Sequence, residues 1–329
     1  MTIVAITRIL NEADIVEAFA RHTRHFVDAH IFVDNGSTDR TLAILAGLKA
    51  EGLPIEVYAN GSVSFSEATA LNFLFRRAVE HHGADWVIPL DTDEFIDVRC
   101  LGCTLGEYLA AKGRLDRPAR CIKIRWRQYI ACPDDDPAVQ VPPQRIVHAE
   151  AQPTAYLKII LPASLLAEGG EIQPGFHSAT MPDGSECEWF AEDKIFLAHY
   201  SERSPWQWIT KFVVGWSKVL AAGSETVSAG YAEHYRAPFA ILRDRPRQIL
   251  CEPMYMEQRH GRTDLLRDPI DYLGGALRYT PVIEPQMKMV QSLVGFVEAL
   301  ATQHGRLLTQ SPEARALVDL WNREFTPIE

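Results

Sequence analysis

Apolar residues in the first hundred positions follow two alternating periods. Residues 2–7, built on Ile3-Val4-Ala5-Ile6, are strand-like; over 12–26, Ile15, Val16, Phe19 and Phe26 recur at helical spacing while Glu12, Asp14, Glu17, Arg21 and Arg24 face away. His30–Asp34 is a short β-branched and aromatic run, Asn35-Gly36-Ser37 makes a turn, and Asp39 is placed to cap a helix over 40–50. Ile55–Ala59 gives a third strand, Ser64 and Glu67 a capping-box pattern before the stripe Ala68, Leu71, Leu74, Phe75 and Ala78, and Trp86–Leu90 a fourth strand. Such alternation implies right-handed crossovers and a mainly parallel sheet flanked by helices, an α/β fold whose ligands sit beyond the carboxyl ends of the strands. Polar residues fall at three of those ends: Thr7, Arg8, Asn11 and Glu12, then Asp34–Asp39, then Asp91–Glu94.

Beyond residue 100 the alternation stops. In Cys121–Ile130, Ile122, Ile124 and Trp126 alternate with Lys123, Arg125 and Arg127, the period of a half-buried antiparallel strand. Tyr156–Leu161 and Ile195–Tyr200 are further strands, Pro133-Asp134-Asp135-Asp136-Pro137 is a solvated turn, and Ser204 caps a helix with Pro205 at its first position. From about residue 235 the chain is Arg-rich and irregular, then helical. Met287, Val290, Leu293, Val294, Val297 and Leu300 form a stripe expected to pack on the preceding part of the chain, and Ser311-Pro312 opens a last helix.

Composition narrows the function classes. With 329 residues, 47% of them hydrophobic, the chain can bury a large core, and a net charge of -10 argues against a nucleic-acid partner, which needs a basic face. No cationic leader precedes the first strand and no apolar run approaches the roughly 20 residues that span a bilayer, so the expected location is cytoplasmic, with at most peripheral contact at the inner membrane face. Cys100, Cys103, Cys121, Cys132, Cys187 and Cys251 are scattered, as reduced thiols are. Cys100 and Cys103 form a C-x-x-C without the second pair of a zinc ribbon or the strand-to-helix setting of a redox motif.

No G-x-x-x-x-G-K loop occurs and no G-x-G-x-x-G follows the first strand, which removes the commonest nucleotide-binding devices of a βαβ fold. A cation held by carboxylates is another way to grip phosphate. Asp91 and Asp93, at i and i+2 in extended backbone, would project to one side and address one magnesium or manganese ion that keeps positions open for a diphosphate. Alone, the run Asp91, Asp93, Glu94 and Asp97 is also what a solvated acidic loop looks like. Its place directly after an apolar strand favours a site.

These residues resemble the GT-A glycosyltransferases, and within them a family-2-like bacterial group. The matching pieces are Arg8-Ile9-Leu10-Asn11-Glu12, the run Val33–Thr41 with Asp34-Asn35-Gly36-Ser37 and Asp39, the run Asp85–Phe95 ending Asp91-Thr92-Asp93-Glu94-Phe95, and His199-Tyr200-Ser201 with Ser204 and Lys211. The resemblance implies a GT-A, Rossmann-like catalytic domain over 1–235, with a nucleotide-binding half (1–100) and an acceptor half (101–235), and a helical extension over 236–329. It implies a nucleoside-diphosphate sugar donor, a UDP-sugar favoured, whose base and ribose are received by the second-strand segment with Asp34, Asn35, Ser37 and Asp39; Thr7, Arg8, Asn11 and Glu12, at the end of the first strand, are further donor-binding candidates. Asp91 and Asp93 would serve ribose and Mn2+ or Mg2+. Many relatives carry Asp-Asp where this chain has Asp34-Asn35; an amide can still pair with a pyrimidine edge.

His199 ranks ahead of His177 as a third metal ligand, although a strand histidine is as readily structural. If transfer to a hydroxyl is a direct displacement, with inversion, a carboxylate must take the acceptor proton, and Asp193 or Glu192, expected just before the His199 strand, are candidates that an exposed turn would also explain. Arg8, Lys158, Arg203 and Lys211 can neutralise phosphate; solvated cations are the plainer account, most of all for Arg203. The expected activity is glycosyl transfer in bacterial surface-glycan synthesis, to a glycan or lipid-linked acceptor. The rivals are a sugar nucleotidyltransferase, which would want glycines in Arg8-Ile9-Leu10, and a non-catalytic GT-A glycan-binding or scaffolding module, against which both Asp91 and Asp93 count.

Overall fold

The computed structural model describes residues 1–64, 67–115, 120–250, 265–282 and 284–322. The first half forms strands β1 (Ile3–Ile9), β2 (Ala29–Asp34), β3 (Ile55–Ala59), β4 (Trp86–Pro89) and β5 (Glu94–Asp97), with helices α1 (Val16–Thr23), α2 (Thr41–Ala50), α3 (Glu67–His82) and α4 (Leu105–Leu115) between and after them. β6 (Cys121–Gln128), β7 (Leu157–Pro162) and β8 (Trp189–His199) complete one eight-stranded sheet, in the order β3-β2-β1-β4-β7-β6-β8-β5. β3, β2, β1 and β4 run parallel, as expected; β7 is antiparallel to both β4 and β6, β8 runs parallel to β6, and β5 is antiparallel to β8.

Parallel strands are covered on both faces, which explains why β1 is apolar almost throughout. Ile3 and Ala5 face a core shared with Phe19 of α1 and Ile44 and Leu48 of α2; Val4 and Ile6 face one shared with Leu71, Leu74 and Phe75 of α3. Each such aliphatic or aromatic side chain contributes roughly 1.5–3 kcal/mol on burial.

β8 begins six residues earlier than its alternation suggests, because its register against β6 shifts between Glu192 and Phe196 and the bulge interrupts the period. Glu192 and Asp193 therefore lie inside the strand, not in a turn before it. A long helix α5 (Pro205–Ala221) starts as expected, with Ser204 Oγ accepting from Gln207 N at 3.1 Å and Pro205 at the first position.

The outward side of α1 is not solvated as expected. Glu17 and Arg21 are buried because the segment at 278–280 lies across them, its Arg278, Tyr279 and Thr280 N–H groups donating to the Glu17 carboxylate at 2.6–2.8 Å. Helix α6 (Pro285–Gln310) packs on α5 through Met289 and Leu293, but Met287, Val290, Val294, Val297 and Leu300 of the expected packing stripe are exposed. Its packed side carries Lys288, the buried Ser292, and Gly295, whose Cα stands against Thr38. α7 (Pro312–Trp321) ends the described chain. None of the described helices is long and apolar enough to cross a membrane. Cys100 and Cys103 are exposed free thiols, Cys121 and Cys187 are buried with Sγ atoms 3.3 Å apart, and Cys251 lies outside the described residues.

Candidate active site

The loops after β1 and β2 clasp each other. Asn11 takes a left-handed backbone (φ 57°), which asparagine tolerates better than most residues. Its N–H donates to Ser37 Oγ at 2.9 Å, and its Oδ1 accepts from Thr38 N (2.8 Å) and Asp39 N (3.2 Å). Asp34 Oδ2 accepts from Gly36 N and Ser37 N across a turn that Gly36, at φ +89°, makes possible. Asp39 reaches both sides, accepting from Ala13 N at 3.1 Å and from Thr41 N at 2.9 Å. Asn35 spends its amide N–H groups on the Asn60 and Ser62 carbonyls at 2.6 and 3.1 Å, so they are not free to donate to a base edge. Asp34 Oδ1 and Asn35 Oδ1 are buried without a hydrogen-bond partner among the described residues.

Glu12 and Asp14 point from the same loop to Arg203, the residue whose sequence most suggested a solvated cation. Arg203 is instead 2% exposed, donating to Asp14 Oδ2 and Glu12 Oε2 at 2.7 Å each and to the Tyr200 carbonyl at 3.2 Å. Lys288 from α6 also pairs with Asp14. Burial works against the charge on Asp14, but Arg203 and Lys288 hold its carboxyl well below the usual carboxylate range. Lys288 was missed in the sequence; it is one of only three charged residues in α6, with Glu298 and Arg306, and that isolation was the one available signal.

Asp91–Glu94 is a tight turn rather than extended backbone: Glu94 N donates to the Asp91 carbonyl at 3.0 Å, and Asp91 N to Glu94 Oε2 at 3.0 Å. The two aspartates consequently meet different cations. Asp91 Oδ2 accepts from Lys158 Nζ of β7 at 2.9 Å, and Lys158 also stands 3.0 Å from Glu94 Oε1. Asp93 Oδ2 accepts from Lys211 Nζ of α5 at 3.0 Å, while its Oδ1 lies 3.6 Å from His199 Nε2. Burial would raise the Asp93 carboxyl, yet Lys211 first, then His199 and Arg203, keep it well below the usual range. Glu94, fully buried, is pushed up by the same burial.

A cavity of about 1540 Å³ opens over these groups, lined by Arg8, Asn11, Glu12, Asp91, Asp93, Lys158, His177, His199, Arg203 and Lys211 among others. Thr7, Asp34, Asn35, Ser37 and Asp39 are not among its lining residues; Thr7 Oγ1 instead pairs with His30 Nε2 at 2.9 Å inside the sheet. Glu192 and Asp193 do not line it either. Asp193 is 75% exposed beside Arg125, 3.2 Å away, and Glu192 accepts from the Lys194 N–H. His177 lines the cavity but faces Trp126, with Nδ1 2.8 Å from the Leu157 carbonyl, so of the two candidate histidines only His199 meets Asp93.

A divalent metal would find a partial ligand set. Among the described residues no three His, Cys, Asp or Glu side chains cluster closely enough to hold one. Asp93 and His199 nevertheless offer an oxygen and a nitrogen to one point, with the other positions open to a diphosphate.

Residues 5–110, the parallel half of the sheet with the Asp91–Glu94 turn, match the family model described as glycosyl transferase family 2. A search of the curated proteins returns no match. Three solved structures to which this chain is similar share 14–21% identity with it. S. aureus TarS 1-349 is 14% identical over 91% of this chain and 81% of its own, with a TM-score of 0.36. The mannosyltransferase PcManGT from Pyrobaculum calidifontis, in complex with GDP-Man and Mn2+, is 14% identical over 98% and 88%, with a TM-score of 0.39. Glucosyl-3-phosphoglycerate synthase from Mycobacterium tuberculosis, in complex with Mn2+, UDP and glucosyl-3-phosphoglycerate, is 21% identical over 38% of this chain and 44% of its own, with a TM-score of 0.27.

Proposed function

We propose, from the glycosyl transferase family 2 domain at residues 5–110, that this chain transfers a glycosyl unit from a nucleoside-diphosphate sugar to a hydroxyl group, with a divalent cation at Asp93. The observation that carries this is the state of Asp93. It is buried against the cavity, 3.0 Å from Lys211 and 3.6 Å from His199, which with Arg203 hold its carboxyl well below the usual range, and Arg8 and Lys158 line the same cavity.

That arrangement suits a diphosphate. Arg8 and the two lysines supply positive charge in a chain that is acidic overall, and a low-dielectric pocket makes each such contact stronger than in water. Asp93 and His199 would hold a magnesium or manganese ion, which when bound supplies Lewis-acid neutralisation of the departing diphosphate. Lys158 fixes the Asp91 carboxylate, leaving its partly exposed side facing the cavity as an acceptor for a donor hydroxyl. Arg203 ties Glu12 and Asp14 to the start of α5 and so sets the distance between the β1 loop and Lys211.

Titrating UDP and GDP calorimetrically, with and without Mn2+, tests the reading. Wild-type protein should bind one of them in a metal-dependent manner, and Asp93→Ala should weaken that binding by more than about tenfold, since even outer-shell changes at metal sites cost that much. Binding indifferent to both metal and Asp93 would sink it.

A further inference from the structure

Rings run outward from Asp93 in an unbroken series. His199, 3.6 Å from Asp93 Oδ1, has its ring centroid 5.1 Å from that of Trp126 on β6; Trp126 stacks at 5.9 Å and 29° on Tyr156, and His177 stands 5.6 and 5.7 Å from those two rings. Trp126, His177 and His199 line the cavity, whereas Tyr156, just before β7, is 67% exposed. Tyr156 is thus an exposed aromatic ring continuous with rings that line the cavity.

We propose that the exposed ring of Tyr156, backed by Trp126, forms a floor on which a pyranose ring of a glycan acceptor stacks, with His177 receiving one of its hydroxyls. The proposal rests on the glycosyl-transfer reading and specifies its acceptor. One face of a pyranose carries C–H groups of slight positive character that suit the negative face of an aromatic ring, while its rim is hydroxylated. Those hydroxyls need polar neighbours, and His177 is one. Its Nδ1–H donates to the Leu157 carbonyl, and burial lowers its pKa, so the neutral ring leaves Nε2 as an acceptor. Position separates acceptor from donor. A donor sugar would be tied to its diphosphate beside Asp91 and Asp93, whereas Tyr156 is separated from Asp93 by the rings of His199 and Trp126 and is open to solvent.

The test uses saturation-transfer NMR on the full chain with maltotetraose, cellotetraose, chitotetraose and xylotetraose, each in the presence of UDP and Mn2+. At least one should bind, with saturation concentrated on the C–H groups of one ring face. Tyr156→Ala should weaken that binding about 2- to 10-fold, the effect of losing one aromatic contact, and Tyr156→Phe should preserve it. Failure of all four sugars, or binding unchanged in Tyr156→Ala, overturns the proposal. Nucleotide titration of the same samples separates the two readings: intact UDP or GDP binding with no sugar effect defeats only the aromatic floor, whereas loss of metal-dependent nucleotide binding in wild-type protein defeats the function on which it stands.

Discussion

The ammonium of Lys158 lies 3.0 Å from the Glu94 carboxylate, and the two side chains are 3% and 0% exposed. Two opposite charges so deeply buried are stable only together, because removing one strands the other in a medium that solvates it poorly. Lys158→Met should therefore destabilise the protein by about 3–5 kcal/mol, and adding Glu94→Gln should restore a substantial part of the loss. Urea denaturation of the single and double variants decides it. A double variant no more stable than Lys158→Met would show that Lys158 is not needed to pair Glu94.

A contact between a carboxylate and backbone N–H groups predicts behaviour in acid. Burial disfavours the Glu17 carboxylate, but the N–H groups of Arg278 and Tyr279, the Thr280 hydroxyl and Arg21 outweigh it and lower its pKa. A carboxyl whose folded-state pKa is depressed stabilises the fold above its unfolded value, near 4.3, and that contribution disappears as pH falls through the folded-state value. Glu17→Gln should accordingly be less stable than wild type at pH 7, the gap closing below about pH 4. A gap that stays constant from pH 7 to pH 3 would refute the assignment.

The parts of the fold legible in the sequence were those fixed by local chemistry. Ser204 and Pro205 specify a helix start by themselves, and β1 and β2 announce themselves because both of their faces are buried. Arg203 and Glu17 were misjudged for the opposite reason. Arg203 meets Asp14 across 189 positions of chain and Glu17 meets Thr280 across 263, so no local period marks either as buried. The Asp91–Asp93 pair lay between these cases. Its place at a strand end was visible, but the Asp91 N–H bond to Glu94, which turns the backbone and sends the two aspartates to different lysines, was not.

Gly295 gives a way to loosen α6 from the clasped loops without touching any charged group. A Cβ added there would sit 2.4 Å from Thr38 Cγ2, and Thr38 is a short side chain whose own N–H is held by Asn11. Gly295→Leu should force the helix and the loop apart, at a cost of about 1–3 kcal/mol typical of overpacking. Increased hydrogen exchange at Thr38 and Asp39, with β1 and β4 still protected, is the expected signature. Unchanged exchange at both residues would mean that the contact does not hold the loop.

Asp193 and Glu192 supply the sharpest test of where the acceptor proton goes. A general base must come within hydrogen-bond reach of the hydroxyl it deprotonates, and such a group contributes about 10²- to 10⁴-fold to the rate. Asp193 is 75% exposed, pairs with the partly exposed Arg125, and stands on a stretch of β8 that does not line the cavity. An ion pair of that kind contributes no more than about 1 kcal/mol. Asp193→Ala and Glu192→Ala should therefore each leave the initial rate of donor-sugar turnover within about threefold of wild type, with thermal stability nearly unchanged. A fall of a hundredfold or more at an unaltered melting temperature would return Asp193 to the chemistry. It would also require Asp193 to approach the cavity when the donor binds, since neither it nor Glu192 lines it here.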